Sequence, residues 1–317
     1  MIVRIYAALT IAVLLTGCGK SPENQPSETA TSGNFQLVAD EALRPAVDSL
    51  ADGFMKENPQ AKITVKYMSA GEAVRELLNH DARVIIIDRM LTPAERQVLQ
   101  KDSVTLPEFV IAEDGIGCIV SRKNPVGALA LSDLRKIVMG ETKTWSELTH
   151  SLPEPSMSFA NRKGITTVFP GYPSSMEYLL DSMFLGPNQV TKGAVTRYET
   201  MDSVIARVKQ DVNAVGFIGS SWKHSLEASG DTSVKVLPII PADSSSRGIT
   251  QPIILHMAYI YQGLYPLTAT VTGYSLEAPN TLPRGFLVYA MTAHGQMVFK
   301  NFEVLPKTQI IHIVPSR

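Results

Sequence analysis

From Phe35 onward the chain alternates short runs of strand character with amphipathic segments. Phe35 to Ala39 reads as a first strand. Leu43, Val47, Leu50 and Phe54 then recur at steps of 4, 3 and 4, the spacing of one helix face, until Asn58-Pro59 stops the pattern. Ile63, Val65 and Tyr67 alternate as a strand, and Ser69-Ala70-Gly71-Glu72 has the form of a capping box opening a helix that carries Val74, Leu77 and Leu78. Val84 to Ile87 is an unbroken β-branched run, as in a strand buried on both faces, and Thr92-Pro93-Ala94-Glu95 starts another helix with proline in its first turn. Three βα units in succession predict a parallel sheet covered by helices.

The middle of the chain repeats the style with weaker regularity. A helix is expected from Ser132-Asp133, a strand at Thr166 to Phe169, a helix after Ser174-Ser175 and a buried strand at Val215 to Gly219. Gly115 to Val120 is a strand-like run in which Cys118 behaves as a small hydrophobe. Ile253 to Tyr261 is apolar enough to return the chain to the first lobe, and Gly285 to Met291 and Gln296 to Phe299 carry the apolar positions of closing helices. A chain of 317 residues has room for about two such lobes.

The N-terminus is different in kind. Arg4 precedes an apolar run, Ile5 to Leu15, that is too short for the roughly 20 residues a membrane span needs. Leu15-Thr16-Gly17-Cys18 follows, with small residues before the cysteine, so residues 1–17 read as a lipoprotein signal peptide and Cys18 as the lipidated residue. Residues 18–33 then read as a solvated tether with a reach of about 22 Å.

Lys+Arg 29 against Asp+Glu 30 leaves a net charge of −1, which lacks the basic footprint of a general nucleic-acid binder. Two cysteines make neither a disulfide framework nor a zinc site, and no cofactor or metal is implied. The six histidines form no HExxH pattern and no Gly-x-Ser-x-Gly elbow occurs. Gly219-Ser220-Ser221 is the nearest approach to a nucleophile and has no base close in sequence, so a hydrolase is a remote reading.

In open parallel sheets ligands bind beyond the carboxyl ends of the strands, where helix N-termini present free N–H groups to an anion. Three helix starts qualify: Asp40-Glu41, Ser69-Ala70-Gly71 and Pro173-Ser174-Ser175. Asp88 and Arg89 sit at the end of the third strand. Each has a plainer alternative. Ser69 with Glu72, and Ser174 with Glu177, fit capping boxes; Asp40 fits an N-cap; Arg89 fits a pair with Glu95.

The order of these segments resembles the type II periplasmic solute-binding proteins, and most closely the phosphate-binding lipoproteins that feed phosphate ABC importers, the PstS family. The residues carrying the resemblance are Asp40 with its helix ending at Asn58-Pro59, Val84 to Glu95, Glu113-Asp114-Gly115-Ile116-Gly117-Cys118-Ile119-Val120, Leu131 to Leu134 with Gly140-Glu141 and Trp145, Val215 to Gly219, Tyr265-Pro266-Leu267, and Gly285-Phe286-Leu287 running to Gly295-Gln296.

The resemblance implies an α/β fold of two lobes, mainly parallel sheets with helices on both faces, hinged on two crossing strands. Lobe 1 is placed at 34–111 plus 263–317 and lobe 2 at 112–262. It also implies a lipid-anchored monomer on the periplasmic face of a bacterial membrane that holds phosphate or a similar oxyanion for ABC permease subunits. Asp40, Ser69, Asp88, Arg89, Ser174 and Ser175 are the expected ligand contacts. Asp88, an acceptor only, would read the proton that phosphate carries and sulfate lacks. An anion-sensing lipoprotein not coupled to import is the alternative. Two departures stand out. The family's second-lobe arginine and its Gly-Ser-Gly-Thr run are replaced here by Phe169-Pro170-Gly171-Tyr172-Pro173-Ser174-Ser175, and Asp40-Glu41 adds negative charge where small hydroxyl residues are usual.

Overall fold

The computed structural model describes residues 28–101, 106–148, 164–186, 191–241 and 251–308. The expected signal peptide, Cys18 and the first part of the tether lie outside the described residues. The first half of the chain runs β1 (Gly33–Asp40), α1 (Arg44–Glu57), β2 (Ala61–Met68), α2 (Ala70–Leu78), β3 (Val84–Ile87), α3 (Pro93–Lys101), β4 (Glu108–Ser121), β5 (Leu129–Ala130) and α4 (Leu131–Met139). It continues through β6 (Thr166–Pro170), α5 (Ser175–Phe184), β7 (Val195–Tyr198), α6 (Met201–Gln210), β8 (Ala214–Gly219), α7 (Ser220–Ala228), β9 (Val234–Leu237) and β10 (Ile239–Ile240). The chain closes with α8 (Met257–Tyr261), β11 (Thr268–Ser275), α9 (Leu282–Ala290), α10 (Ala293–Asn301) and β12 (Leu305–Pro306).

The first sheet has the order β2-β1-β3-β11-β4, with helices on both faces. Successive residues of a strand point to opposite faces. Accordingly Leu37, Ala39, Val84 and Ile86 pack with Phe54, Phe286 and Phe299 of α1, α9 and α10, while Val38, Ile85 and Ile87 pack with Val74 and Leu77 of α2. This is why Val84–Ile87 contains no polar position. The second sheet, β4-β8-β6-β7, encloses a separate core around Phe169 and Phe217, whose rings stack at 4.8 Å.

Two expectations are modified. The outer pairs β1–β2, β1–β3, β6–β7 and β6–β8 are parallel, but every pairing made by β4 and β11 is antiparallel. And one continuous strand crosses between the halves: residues 108–115 of β4 pair with β11, while Ile116 to Ser121 pair with β8 and β9. The return passes through a bridge between Ile253 and Ile239, then α8, and rejoins β4 where Leu267 O accepts from Ile116 N at 2.8 Å. Helix intervenes because His256 Nδ1 accepts from the Ala258 amide and starts a turn there. The end of the tether is also part of the fold. Glu28 takes both guanidinium nitrogens of Arg83 at 2.6 and 2.7 Å and accepts from the Leu282 amide at 3.3 Å.

Candidate functional site

Three strands end, or cross, with an aspartate at the boundary between the two sheets. Asp40 closes β1, Asp88 follows β3, and Asp114 lies in β4 just before its partners change. All three are buried, Asp88 and Asp114 completely. Asp40 Oδ1 accepts the Ala42 amide at 3.1 Å, the N-cap of the sequence reading, and leaves Oδ2 without a partner. Asp114 Oδ1 accepts from the amides of Gly115 at 2.7 Å and Ser220 at 3.0 Å, and its Oδ2 is likewise unpartnered. Gly219 makes this approach possible: a Cβ there would stand 2.4 Å from Asp114 Oδ2. Neither oxygen of Asp88 has a hydrogen-bond partner among the described residues.

Burial is the main cause that raises all three carboxyls above the ordinary aspartate range. For Asp88, the charges of Asp114 and then Asp40 push further in the same direction, to well above the usual value. Asp114 is held at about 6, because the Ser220 hydroxyl and the two amides offset part of the cost of burial. Asp40 rises less freely, since the Ser175 hydroxyl and the amides of Ala42 and Asp88 approach it and Arg89 is near.

Hydroxyl groups arrive from the second sheet. Ser174 and Ser175 begin α5, Ser220 and Ser221 begin α7, and the hydroxyls of Ser174, Ser175 and Ser221 are buried without partners. The Ser174-x-x-Glu177 capping box does not form. Glu177 instead accepts both nitrogens of Arg197 on β7, so the Ser174 hydroxyl is released from the helix it precedes. Ser69 behaves in the opposite way. Its Oγ accepts from the Glu72 amide at 3.3 Å and donates to the Glu72 carboxylate at 2.8 Å, a complete capping box that uses the hydroxyl. Arg89 takes the plainer alternative too: its two terminal nitrogens meet the two oxygens of Glu95 at 2.8 and 2.7 Å, with the guanidinium 5.3 Å from the Tyr178 ring centre. The helix expected from Ser132-Asp133 starts one residue earlier, at Leu131, behind Ala130.

The two halves meet tightly around these groups. Gly71 N donates to Pro173 O at 3.1 Å, and Gly171, at φ +64°, brings its backbone so close to Ser69 that a Cβ would lie 2.7 Å from the serine Cβ. Glu41, which follows Asp40, does not add free charge to the site. Its Oε1 accepts the first amide of α6, Met201 N, at 2.9 Å; its Oε2 accepts Arg44 Nε at 3.1 Å; and its carbonyl accepts Trp222 Nε1 at 3.1 Å. Sequence reasoning missed Asp114, Ser221 and this use of Glu41. A charged residue interrupting the buried run of β4 was the one local signal for Asp114. Among the described residues no group of His, Cys, Asp and Glu is arranged to hold a metal ion. No helix there is long and apolar enough to cross a membrane.

What the arrangement offers is a buried boundary between two lobes, with aspartate carboxyls contributed by the first sheet and serine hydroxyls by helix starts of the second. Proteins built on the same plan are known. A substrate-binding protein ascribed to phosphate ABC transport in Clostridium perfringens, with bound phosphate, has a TM-score of 0.69 at 17% identity, covering 87% of this chain and 100% of that one. An ABC-type phosphate transport receptor from Vibrio cholerae has a TM-score of 0.60 at 18% identity, with coverage of 87% and 100%. Both likenesses establish the two-lobed type II fold. In sequence, the phosphate-binding protein PstS of Staphylococcus haemolyticus is 27% identical over 150 residues, 46% of this chain and 48% of that protein, so the chain spans about half the length of the curated relatives it matches. The family model described as the PBP superfamily domain aligns with residues 24–293, most of the fold and all of the site, and the chain belongs to that superfamily.

Proposed function

We propose that this chain is an extracytoplasmic binding protein that captures phosphate between two lobes, residues 34–111 with 263–317 and residues 112–262, for an ABC importer. The observation that carries the reading is the pairing of unspent groups. Asp88 offers two unpartnered oxygens, while the Ser174 and Ser221 hydroxyls offer unpartnered donors at two helix starts and the Ser175 hydroxyl lies beside Asp40. A protonated oxyanion satisfies both kinds at once: its O–H donates to the carboxylate and its other oxygens accept from hydroxyls and helix amides. A fully ionised anion such as sulfate leaves the carboxylate facing a like charge. The relatives named for phosphate binding support the same choice. Asp40 and Arg89 contribute by position and ion pairing, and Ser69 by fixing α2 against the opposite lobe.

Calorimetric titration of the purified protein with phosphate, sulfate and molybdate tests the reading. Heat of binding with phosphate alone supports it, and preference for sulfate or molybdate overturns it. The membrane anchor belongs to the same proposal: Cys18→Ala releases the protein from washed membranes, and retention of that variant refutes lipidation at Cys18.

A further inference from the structure

The second sheet carries an opening of its own, away from the aspartates. At its far end β4 pairs with β9: Val120 stands opposite Lys235, and the amide of Arg122, the residue after β4, donates to Ser233 O at 2.9 Å. Arg122 and Lys235 are thus diagonal neighbours on one face of the pair. Both line a cavity of about 500 Å³ bounded by β9, the end of α7 and residues 254–256. Arg122 lies eight residues beyond Asp114, roughly 26 Å of extended strand, so the cavity is separate from the boundary between the lobes. Its apolar wall comes from Leu226, Val236, Pro238 and Leu255. Leu255 is buried and fixed from behind, since its two methyl groups fill the notch left by Gly115 and Gly117, where a Cβ would stand 2.3 and 3.0 Å from them. The wall therefore exists before any ligand arrives, and the volume is in the range of small-molecule sites.

Charge in the cavity is unbalanced. Glu227 and Asp231 border it, but Glu227 is paired with Lys223 and Asp231 with Lys209, and Lys223 is shared with Glu303. His256 borders it too, with Nδ1 spent on the Ala258 amide. Arg122 and Lys235 are left facing each other, neither side chain having an ion-pair or hydrogen-bond partner among the described residues. Partial burial, and then the charge of Arg122, lower the Lys235 ammonium below the ordinary lysine range. One carboxylate would offset both cations, forked on the guanidinium and touching the ammonium. We propose that this cavity is a second ligand site, for a small organic carboxylate whose charged end meets Arg122 and Lys235 and whose apolar body covers Leu226, Val236, Pro238 and Leu255. An inorganic anion leaves that wall bare, and a neutral apolar molecule leaves the two cations unpaired.

Calorimetric titration of the purified protein with octanoate tests this, beside acetate, which has the charge without the body, and octanamide, which has the body without the charge. Octanoate is expected to bind saturably at one molecule per chain, with acetate and octanamide each at least about tenfold weaker. The double variant Arg122→Gln, Lys235→Gln is expected to lose at least about tenfold in octanoate affinity. Absence of saturable octanoate binding overturns the proposal, as does an affinity unchanged in the double variant or matched by octanamide. A measurement on the unaltered protein decides the matter if that variant does not fold: under an amine-acylating reagent, octanoate should slow modification of Lys235 severalfold and leave the exposed Lys62 unaffected. Equal rates at Lys235 with and without octanoate overturn the site. None of these outcomes depends on whether the protein binds phosphate.

Discussion

Two serines with the same local sequence, Ser-x-x-Glu, have different fates. At Ser69 the capping box is complete, whereas at Ser174 the glutamate is drawn away by Arg197. Replacing a serine that caps a helix by alanine costs about 1 kcal/mol. Ser69→Ala is therefore expected to lower stability by that amount in a denaturant titration. Ser174→Ala leaves stability within a few tenths of a kcal/mol and lowers phosphate affinity instead, since a neutral hydrogen bond is worth roughly 0.5–1.5 kcal/mol. Equal losses of stability in the two variants contradict this division. The same pair shows where a sequence stops being legible. Ser69 and Glu72 decide their contact between themselves, three residues apart. Ser174 is decided by an arginine 23 positions away on another strand, at 36% exposure of its side chain, which no local pattern announces. Asp88 was readable because it terminates a continuous apolar run. Asp114 lies within a strand, where its role comes from the partner that arrives opposite it, Ser220.

At the scale of elements, the α1 and α2 helices and the strands beside them follow the apolar spacing closely, because a one-faced apolar stripe fixes the helix whether its neighbours are near in sequence, as for α2 on β1 and β3, or distant, as for α1 with α9 and α10. The link between α6 and the loop after β1 could not be read that way. Glu41 lies 160 positions from Met201, yet its buried carboxylate occupies the first amide of α6, where a negative charge also meets the positive end of the helix dipole. Burial raises the Glu41 carboxyl overall, against the pull of the Met201 amide and of Arg44. The contact links the first half of the chain to the second, and on the proposed capture of a ligand between two lobes it belongs to the closed form. Glu41→Gln keeps the shape and removes the charge, so the ligand-free protein is expected to shift toward an open form. X-ray scattering should register a larger radius of gyration. Phosphate affinity should fall about tenfold, as a free-energy difference of roughly 1.4 kcal/mol implies. An unchanged radius and affinity would mean that closure does not depend on this contact.

For the molecule as a whole, the three aspartates push the response of stability to pH in one direction, as the raised carboxyl of Glu41 also does. Their carboxyls are raised in the folded state, so the stability they contribute is present in acid and is lost as pH rises through the folded value, which for Asp114 lies at about 6 against an ordinary 3.8. That shift alone corresponds to about 3 kcal/mol. The ion-paired carboxylates work the other way: Arg83 holds Glu28 down and Arg96 holds Glu108 down, so their contribution disappears only in stronger acid. Without phosphate, melting temperature is therefore expected to be higher at pH of about 5 than at about 8, and Asp114→Asn should flatten the difference. A maximum at pH of about 8 contradicts the sign.

The order of strands has a consequence of another kind, for the order in which the chain can fold. In the first sheet β11 stands between β3 and β4, with Thr272 opposite Ile87 and Ala269 opposite Asp114. Until the last part of the chain is available, β3 and the first half of β4 each lack a neighbour, and the three early βα units remain open at a hydrophobic edge. Pairings so distant in sequence are slow to form, and the unfilled edge invites aggregation meanwhile. A chain cut at Gly263 is expected to be recovered from cells as insoluble material despite retaining every residue of the proposed site. On the extracytoplasmic reading proposed above, the same topology postpones completion of the first sheet until β11 has been made, so β1 to β4 leave the ribosome without their closing strand.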